Sequence, residues 1–112
     1  GRRIAATWFM QGEQACQYPV CARLSENVSL QASLAGLSAM ESWSGVSYLT
    51  GITSPTLILW GDGDRTYNWS QPEQLWNHIS VAKLGVIPGC AHVVHLEKPH
   101  LFNAMVIDFF QV

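Results

Sequence analysis

The sequence predicts an α/β fold in which two parallel strands are flanked by helices in the order helix, strand, helix, strand, helix. Three observations predict it. Residues 56–60, Thr-Leu-Ile-Leu-Trp, form a continuous apolar run between Pro55 and Gly61, the pattern of a strand covered on both faces. Residues 82–87 are apolar apart from Lys83 and stop at Pro88-Gly89. The segment between these runs has apolar residues at helical spacing, and a helix joining two strands is the crossover that leaves them parallel, with a right-handed turn expected.

The elements follow in chain order. Residues 1 to about 50 are rich in Ala, Ser, Leu and Gln without strand-like alternation, so this half is expected to be helical. Trp8 and Phe9 mark a short helix near the start. Leu30, Leu34 and Leu37, at i, i+4 and i+7, predict an amphipathic helix over 29–42, with Pro19 and Gly45 as punctuation. After the first strand, Ser70, Pro72 and Glu73 read as a capping box with proline in the first turn, and Leu75, Trp76 and Ile79 as the buried stripe of a short helix. Pro99 opens the last helix, whose Phe102, Met105, Val106, Phe109 and Phe110 fall at i, i+3, i+4, i+7 and i+8. Two strands leave two open edges between apolar helix faces, so the expected state is a homo-oligomer.

Length and composition bound the function. The 112 residues allow one compact domain, and 48% apolar with only 12% charged residues excludes a disordered tail. The formal net charge is −2, and the six basic residues are scattered, which argues against a nucleic-acid partner. No apolar stretch is long enough to span a membrane, and the N-terminal apolar run is too short for a signal peptide. Cys16, Cys21 and Cys90 are odd in number and match no zinc spacing, so ordinary thiols and a cytoplasmic location are expected. Sequons begin at Asn27 and Asn68 and carry little weight outside a secreted protein. Gly1 in place of an initiator Met suggests a processed or truncated chain.

The chemistry concentrates in two turns. Gly61-Asp62-Gly63-Asp64 follows the first strand, and Pro88-Gly89-Cys90-Ala91-His92 follows the second, so a carboxylate and an imidazole arrive at the same end of a parallel sheet. In that arrangement Asp64 orients His92, and His92 acts as general base; the bland alternative makes both solvated turn residues. Asp62 competes with Asp64 but reads better as the residue that makes an Asx-type turn. His92, His95 and His100 are too few and wrongly spaced for zinc, so no metal and no cofactor is expected. His95 is expected as a structural donor under the last helix, Glu97 as a cap at that helix's entrance, and His78 as a polar residue near a helix end. Cys90 is expected to pack or line the site rather than attack. Trp60, Arg65, Tyr67, Trp69 and Val93 complete the candidate pocket lining.

Residues 40–110 resemble the C-terminal portion of the α/β-hydrolase fold family. The resemblance rests on Pro55-Thr-Leu-Ile-Leu-Trp-Gly61, the Gly61-x-x-Asp64 turn, Pro88-Gly-x-x-His92, His95-Leu-Glu-Lys-Pro99 and Phe102-Asn103. It implies a partial hydrolase fold with a triad acid at Asp64 and a triad base at His92, in the family order of serine, acid, histidine. Residues 1–45 then resemble a helical cap, and residues 46–112 the segment that carries acid and base. The family's Gly-x-Ser-x-Gly elbow does not occur in the sequence; Gly36-Leu-Ser38-Ala-Met40 is the nearest approach and lies in a helical stretch, as does the neighbourhood of Ser44. The expected function is therefore that of a C-terminal part of a hydrolase for ester or carbon–carbon bonds beside a carbonyl, acting on a small apolar substrate and inactive alone. The complementing N-terminal half is the expected partner. Related family members open epoxides and carbon–halogen bonds with an aspartate nucleophile. The alternative is a non-catalytic, self-associating binding module derived from the same fold.

Overall fold

The computed structural model describes residues 1–111. Its helices are α1 (Arg2–Thr7), α2 (Tyr18–Glu26), α3 (Leu30–Ser42), α4 (Ser70–His78), α5 (Val94–Glu97) and α6 (Pro99–Phe110), with strands β1 (Thr56–Gly61) and β2 (Ala82–Ile87). Short 3-10 turns occupy Gly12–Gln14 and Val46–Gly51. The strands pair in parallel, Thr56 opposite Ala82 and Gly61 opposite Ile87, so both end level with each other. That register places the two chemical turns side by side.

The helix between the strands starts differently from the expected capping box. Ser70 lies inside α4 and its side chain caps nothing; instead Asn68 Oδ1 accepts the Ser70 N–H at 3.1 Å and the Ser70 hydroxyl. Pro72 and Ile79 are buried, but Leu75 and Trp76 are exposed, against the expected stripe. A helix about 10 Å across overhangs a two-stranded sheet whose strands are ~4.8 Å apart, so the flanks of its apolar face have nothing beneath them. The same geometry leaves Phe102, Met105, Val106 and Phe109 of α6 only half-buried and Phe110 exposed.

Two apolar clusters support the sheet end. One joins Ile87, Cys90 and Val94, flanked by Phe102 and Met105. The other joins Ala5 and Phe9 with Tyr18, Cys21 and Ala22 of α2, and takes in Val93 from the turn after β2. The N-terminal helices thus pack on the very turn that carries His92. Pro19 does not interrupt this region but sits in the first turn of α2, where its missing N–H is harmless.

Helix α3 starts where the sequence places it, with Ser29 Oγ accepting the Ala32 N–H at 3.1 Å, yet every one of its residues is exposed. The Cα radius of gyration is 15.6 Å, against ~13 Å for a compact domain of this length.

Candidate active site

Gly61 lets the two turns meet. A Cβ there would collide with the carbonyl oxygens of Cys90 and Ala91, which are backbone atoms and cannot step aside. The turns are then laced together. Asp62 N–H donates to Ile87 O at 3.2 Å and Gly63 N–H to Cys90 O at 2.8 Å, while Asp62 Oδ1 accepts the Gly89 N–H at 2.8 Å. Asp62 therefore bonds across to the opposite turn, not within its own. Gly89 itself has φ +64°, the left-handed conformation that glycine tolerates.

The Asx-type turn is made by Asp64. Its Oδ1 accepts the N–H groups of Thr66 at 2.8 Å and Tyr67 at 3.0 Å, which leaves Oδ2 aimed at His92 Nδ1, 3.0 Å away. The Asp64 side chain is 5% exposed and that of His92 28%. An ionised carboxylate only accepts, so the contact favours the imidazole tautomer with hydrogen on Nδ1 and the lone pair on Nε2. Tyr67 packs edge-on to the His92 ring, with centroids 5.2 Å apart, and Trp8 approaches it at 6.2 Å. A cleft of about 160 Å³ beside the pair is lined by Trp60, Asp64, Tyr67, Leu75, His92 and Val94.

Of the residues expected to line the pocket, only Trp60 and Tyr67 do so. Trp60 Nε1 also donates to Tyr67 O at 2.8 Å, fixing the segment after the acid. Trp69 packs between Trp60 and Trp76, with ring centroids 5.5 and 6.3 Å away. Arg65 points to the end of α1, where it donates to Thr7 O at 3.2 Å and to Phe9 O. Val93 and Cys90 are buried in the two apolar clusters. Burial, reinforced by the neighbouring Glu97 carboxylate, pushes the Cys90 thiol up to about 11, which suits packing and not attack.

His95 is exposed and packs at a tilt against the Phe102 ring at 5.8 Å, in place of the expected donor role. His78 Nδ1 bonds Gln74 O at 2.8 Å on the exposed side of α4. Among the described residues no group of three or more His, Cys, Asp or Glu could hold a metal ion, and no helix is long and apolar enough to cross a membrane. Ser38 lies on exposed α3.

Sequence reasoning misses Glu97 and Trp8 as parts of this site. Glu97 does not cap α6: its Oε1 accepts the Ala91 N–H at 2.7 Å and its Oε2 the Met10 N–H at 2.8 Å. Trp8 contributes its carbonyl, which accepts the N–H groups of His92 at 3.0 Å and Val93 at 3.3 Å. A backbone carbonyl leaves no trace in a sequence. For Glu97 the available signal is its place as the one acidic residue between His92 and Asp108.

No protein-family model matches the chain. It is 37% identical over 65 residues to 2-hydroxy-6-oxononadienedioate/2-hydroxy-6-oxononatrienedioate hydrolase 2 of Pseudomonas putida, covering 58% of this chain and 23% of that protein. It is 32% identical over 84 residues to 2-hydroxy-6-oxo-6-phenylhexa-2,4-dienoate hydrolase of Delftia acidovorans, covering 75% of this chain and 28% of that protein. The chain thus spans about a quarter of the length of the curated relatives it matches. The solved structure of the 2-hydroxy-6-oxo-6-phenylhexa-2,4-dienoate hydrolase of Rhodococcus superposes with a TM-score of 0.75 over 99% of this chain and 43% of that one, at 17% identity. Sequence similarity and fold together place the chain in the α/β-hydrolase family, where it matches the C-terminal portion of the fold.

Proposed function

We propose that the chain supplies the acid and base of a hydrolase that cleaves ester or carbon–carbon bonds beside a carbonyl, with Asp64 as the orienting acid and His92 as the general base. The observation that carries this reading is the 3.0 Å contact between His92 Nδ1 and a nearly buried Asp64 whose other oxygen is already committed to the backbone. A proton leaving a nucleophile's hydroxyl passes to Nε2, and the carboxylate stabilises the resulting imidazolium. The nucleophile and the oxyanion donors come from outside these 112 residues in this reading, so the chain alone is inactive. Both relatives are named for 2-hydroxy-6-oxo acids, unsaturated chains with a carbonyl at carbon 6. A substrate of that class, with an apolar portion, fits a site edged by Trp60, Tyr67 and Leu75.

The test is hydrolysis of a 2-hydroxy-6-oxo-dienoate and of a p-nitrophenyl ester by the chain alone and by the chain joined to whatever sequence is encoded upstream of Gly1. The chain alone is expected to be no faster than free imidazole. The longer protein is expected to turn over, and His92→Ala to lower kcat by about 10⁶-fold with the fold intact. Turnover by the chain alone that His92→Ala abolishes overturns the inactive-alone reading; turnover of the longer protein that survives His92→Ala overturns the role of the base.

A non-catalytic, self-associating module is the second reading. The exposed apolar stripe of α3 favours it: Leu30, Leu34, Leu37 and Met40 are each more than half exposed.

A further inference from the structure

The turn that carries His92 is held by its backbone, and Glu97 is central to the hold. Both Glu97 oxygens are engaged. Oε1 accepts the Ala91 N–H at 2.7 Å, with Cys90 Sγ 3.7 Å away, and Oε2 accepts the Met10 N–H at 2.8 Å. The next two amides of the turn, His92 and Val93, donate to Trp8 O. From the other side Arg65, in the turn after the acid, donates to the carbonyls of Thr7 and Phe9. Residues 7–10 are thereby gripped by one side chain from the acid's turn and one from beyond the base.

We infer that Glu97 is a positioning residue for His92: its carboxylate ties the Ala91 amide to the segment that follows α1, and so fixes the turn from which the imidazole reaches Asp64. This rests on reading Asp64 and His92 as the acid and base. Two N–H groups converge on one side chain from segments 81 residues apart in sequence, Met10 and Ala91, and a carboxylate offers each its own acceptor oxygen. Such bonds to an ionised acceptor are about twice as strong as neutral ones. Glutamine has nearly the same shape but would set its NH₂ against one of the two N–H donors, releasing either the turn or the segment after α1. A turn freed in this way shifts the imidazole, and a displacement of ~1 Å in a catalytic group is worth about 10²-fold in rate.

The experiment is NMR of the full chain, reading the His92 Nδ1–H resonance and the exchange rates of the Ala91 and Met10 amides in wild type, Asp64→Asn and Glu97→Gln. A hydrogen donated from Nδ1 to a carboxylate resonates far downfield. In wild type it is expected to be present, and Asp64→Asn to remove it. In Glu97→Gln, with an unchanged circular dichroism spectrum, it is expected to be lost to exchange, with Ala91 or Met10 exchanging at least ~10-fold faster as its bond breaks. A resonance that Asp64→Asn removes and Glu97→Gln leaves untouched overturns the role of Glu97 while the acid–base pair stands. A wild type without the resonance, or with one indifferent to Asp64→Asn, overturns the pair and the inference with it. Should Glu97→Gln unfold, wild-type exchange decides: protected Ala91 and Met10 amides support the clamp, and exchange at open-chain rates overturns it.

Discussion

Asp64 combines two tasks that the sequence assigned to two aspartates, shaping the acid turn through Oδ1 and meeting His92 through Oδ2. The freed Asp62 instead ties the acid turn to Gly89. Cys90 shows how far a residue's setting governs its chemistry. Its ordinary value near 9.0 is raised to about 11 by burial and by Glu97, so the folded chain favours the neutral thiol. The stability from this preference is fully present below the unfolded value and is lost as pH rises from about 9 toward 11. The gap in urea midpoint between wild type and Cys90→Ala is therefore expected to narrow through that window. At neutral pH Cys90 holds roughly 100-fold less thiolate than a free thiol, so iodoacetamide should modify exposed Cys16 first, as mass spectrometry of the peptides would show. Preferential labelling of Cys90 in the folded chain would contradict its burial. The meeting of Asp64 with His92 was legible because each stands a few residues past the end of one of two paired strands. The partners of Glu97 were not, since Met10 lies 87 residues away and offers only its amide.

Both strands, the helix between them and the long C-terminal helix were readable from apolar runs, proline and periodicity, because those signals are local. Elements α2 and α5 were not. Helix α2 begins on a Tyr-Pro pair that reads as a break when its packing against α1 is unseen, and α5 spans four residues, too few for a period. The exposure of Leu75 and Trp76 was equally hidden, because it depends on the width of the sheet beneath them. Gly61 is where element geometry bears most directly on chemistry. It ends β1, and the carbonyls of Cys90 and Ala91 occupy the space a side chain would need. Gly61→Ala must push the two turns apart, at a cost of about 1–3 kcal/mol. The expected result is a lower urea midpoint and a His92 imidazole no longer held by Asp64, visible as loss of its Nδ1–H resonance. Gly36→Ala is the control: a Cβ there meets nothing within 4 Å, and alanine in a helix is favoured over glycine by about 1 kcal/mol. A Gly61→Ala chain as stable as Gly36→Ala would mean that the turns do not meet as described.

At the scale of the molecule, surface area argues for company. The chain exposes 7920 Å², whereas a folded monomer of 12.4 kDa exposes ~6100 Å². The difference of roughly 1,800 Å² is about twice the ~800 Å² that one partner buries in a standard protein interface. Much of it is apolar, on α3, on the flanks of α4 and on α6, and Glu41 is the one charged residue in α3. Open sheet edges add unpaired backbone groups to what is exposed. Few charges oppose association here, so any burial of α3 against another chain would be driven by the hydrophobic effect and should resist salt. Alone in solution the chain is expected to self-associate, with an apparent mass by sedimentation equilibrium that rises with concentration and barely changes between 0.1 and 1 M salt, as screening arguments require. Leu34→Asp is the discriminating variant. Leu34 is 56% exposed, so the change should cost the isolated fold no more than about 0.5 kcal/mol while placing a charge in the stripe. It is expected to shift the equilibrium toward monomer by at least ~10-fold, the equivalent of burying one leucine fewer per contact. A wild-type chain that stays monomeric at millimolar concentration would remove the case for self-association. One that associates equally well with Leu34→Asp would move the interface from α3 to the sheet edge and the flanks of α4 and α6.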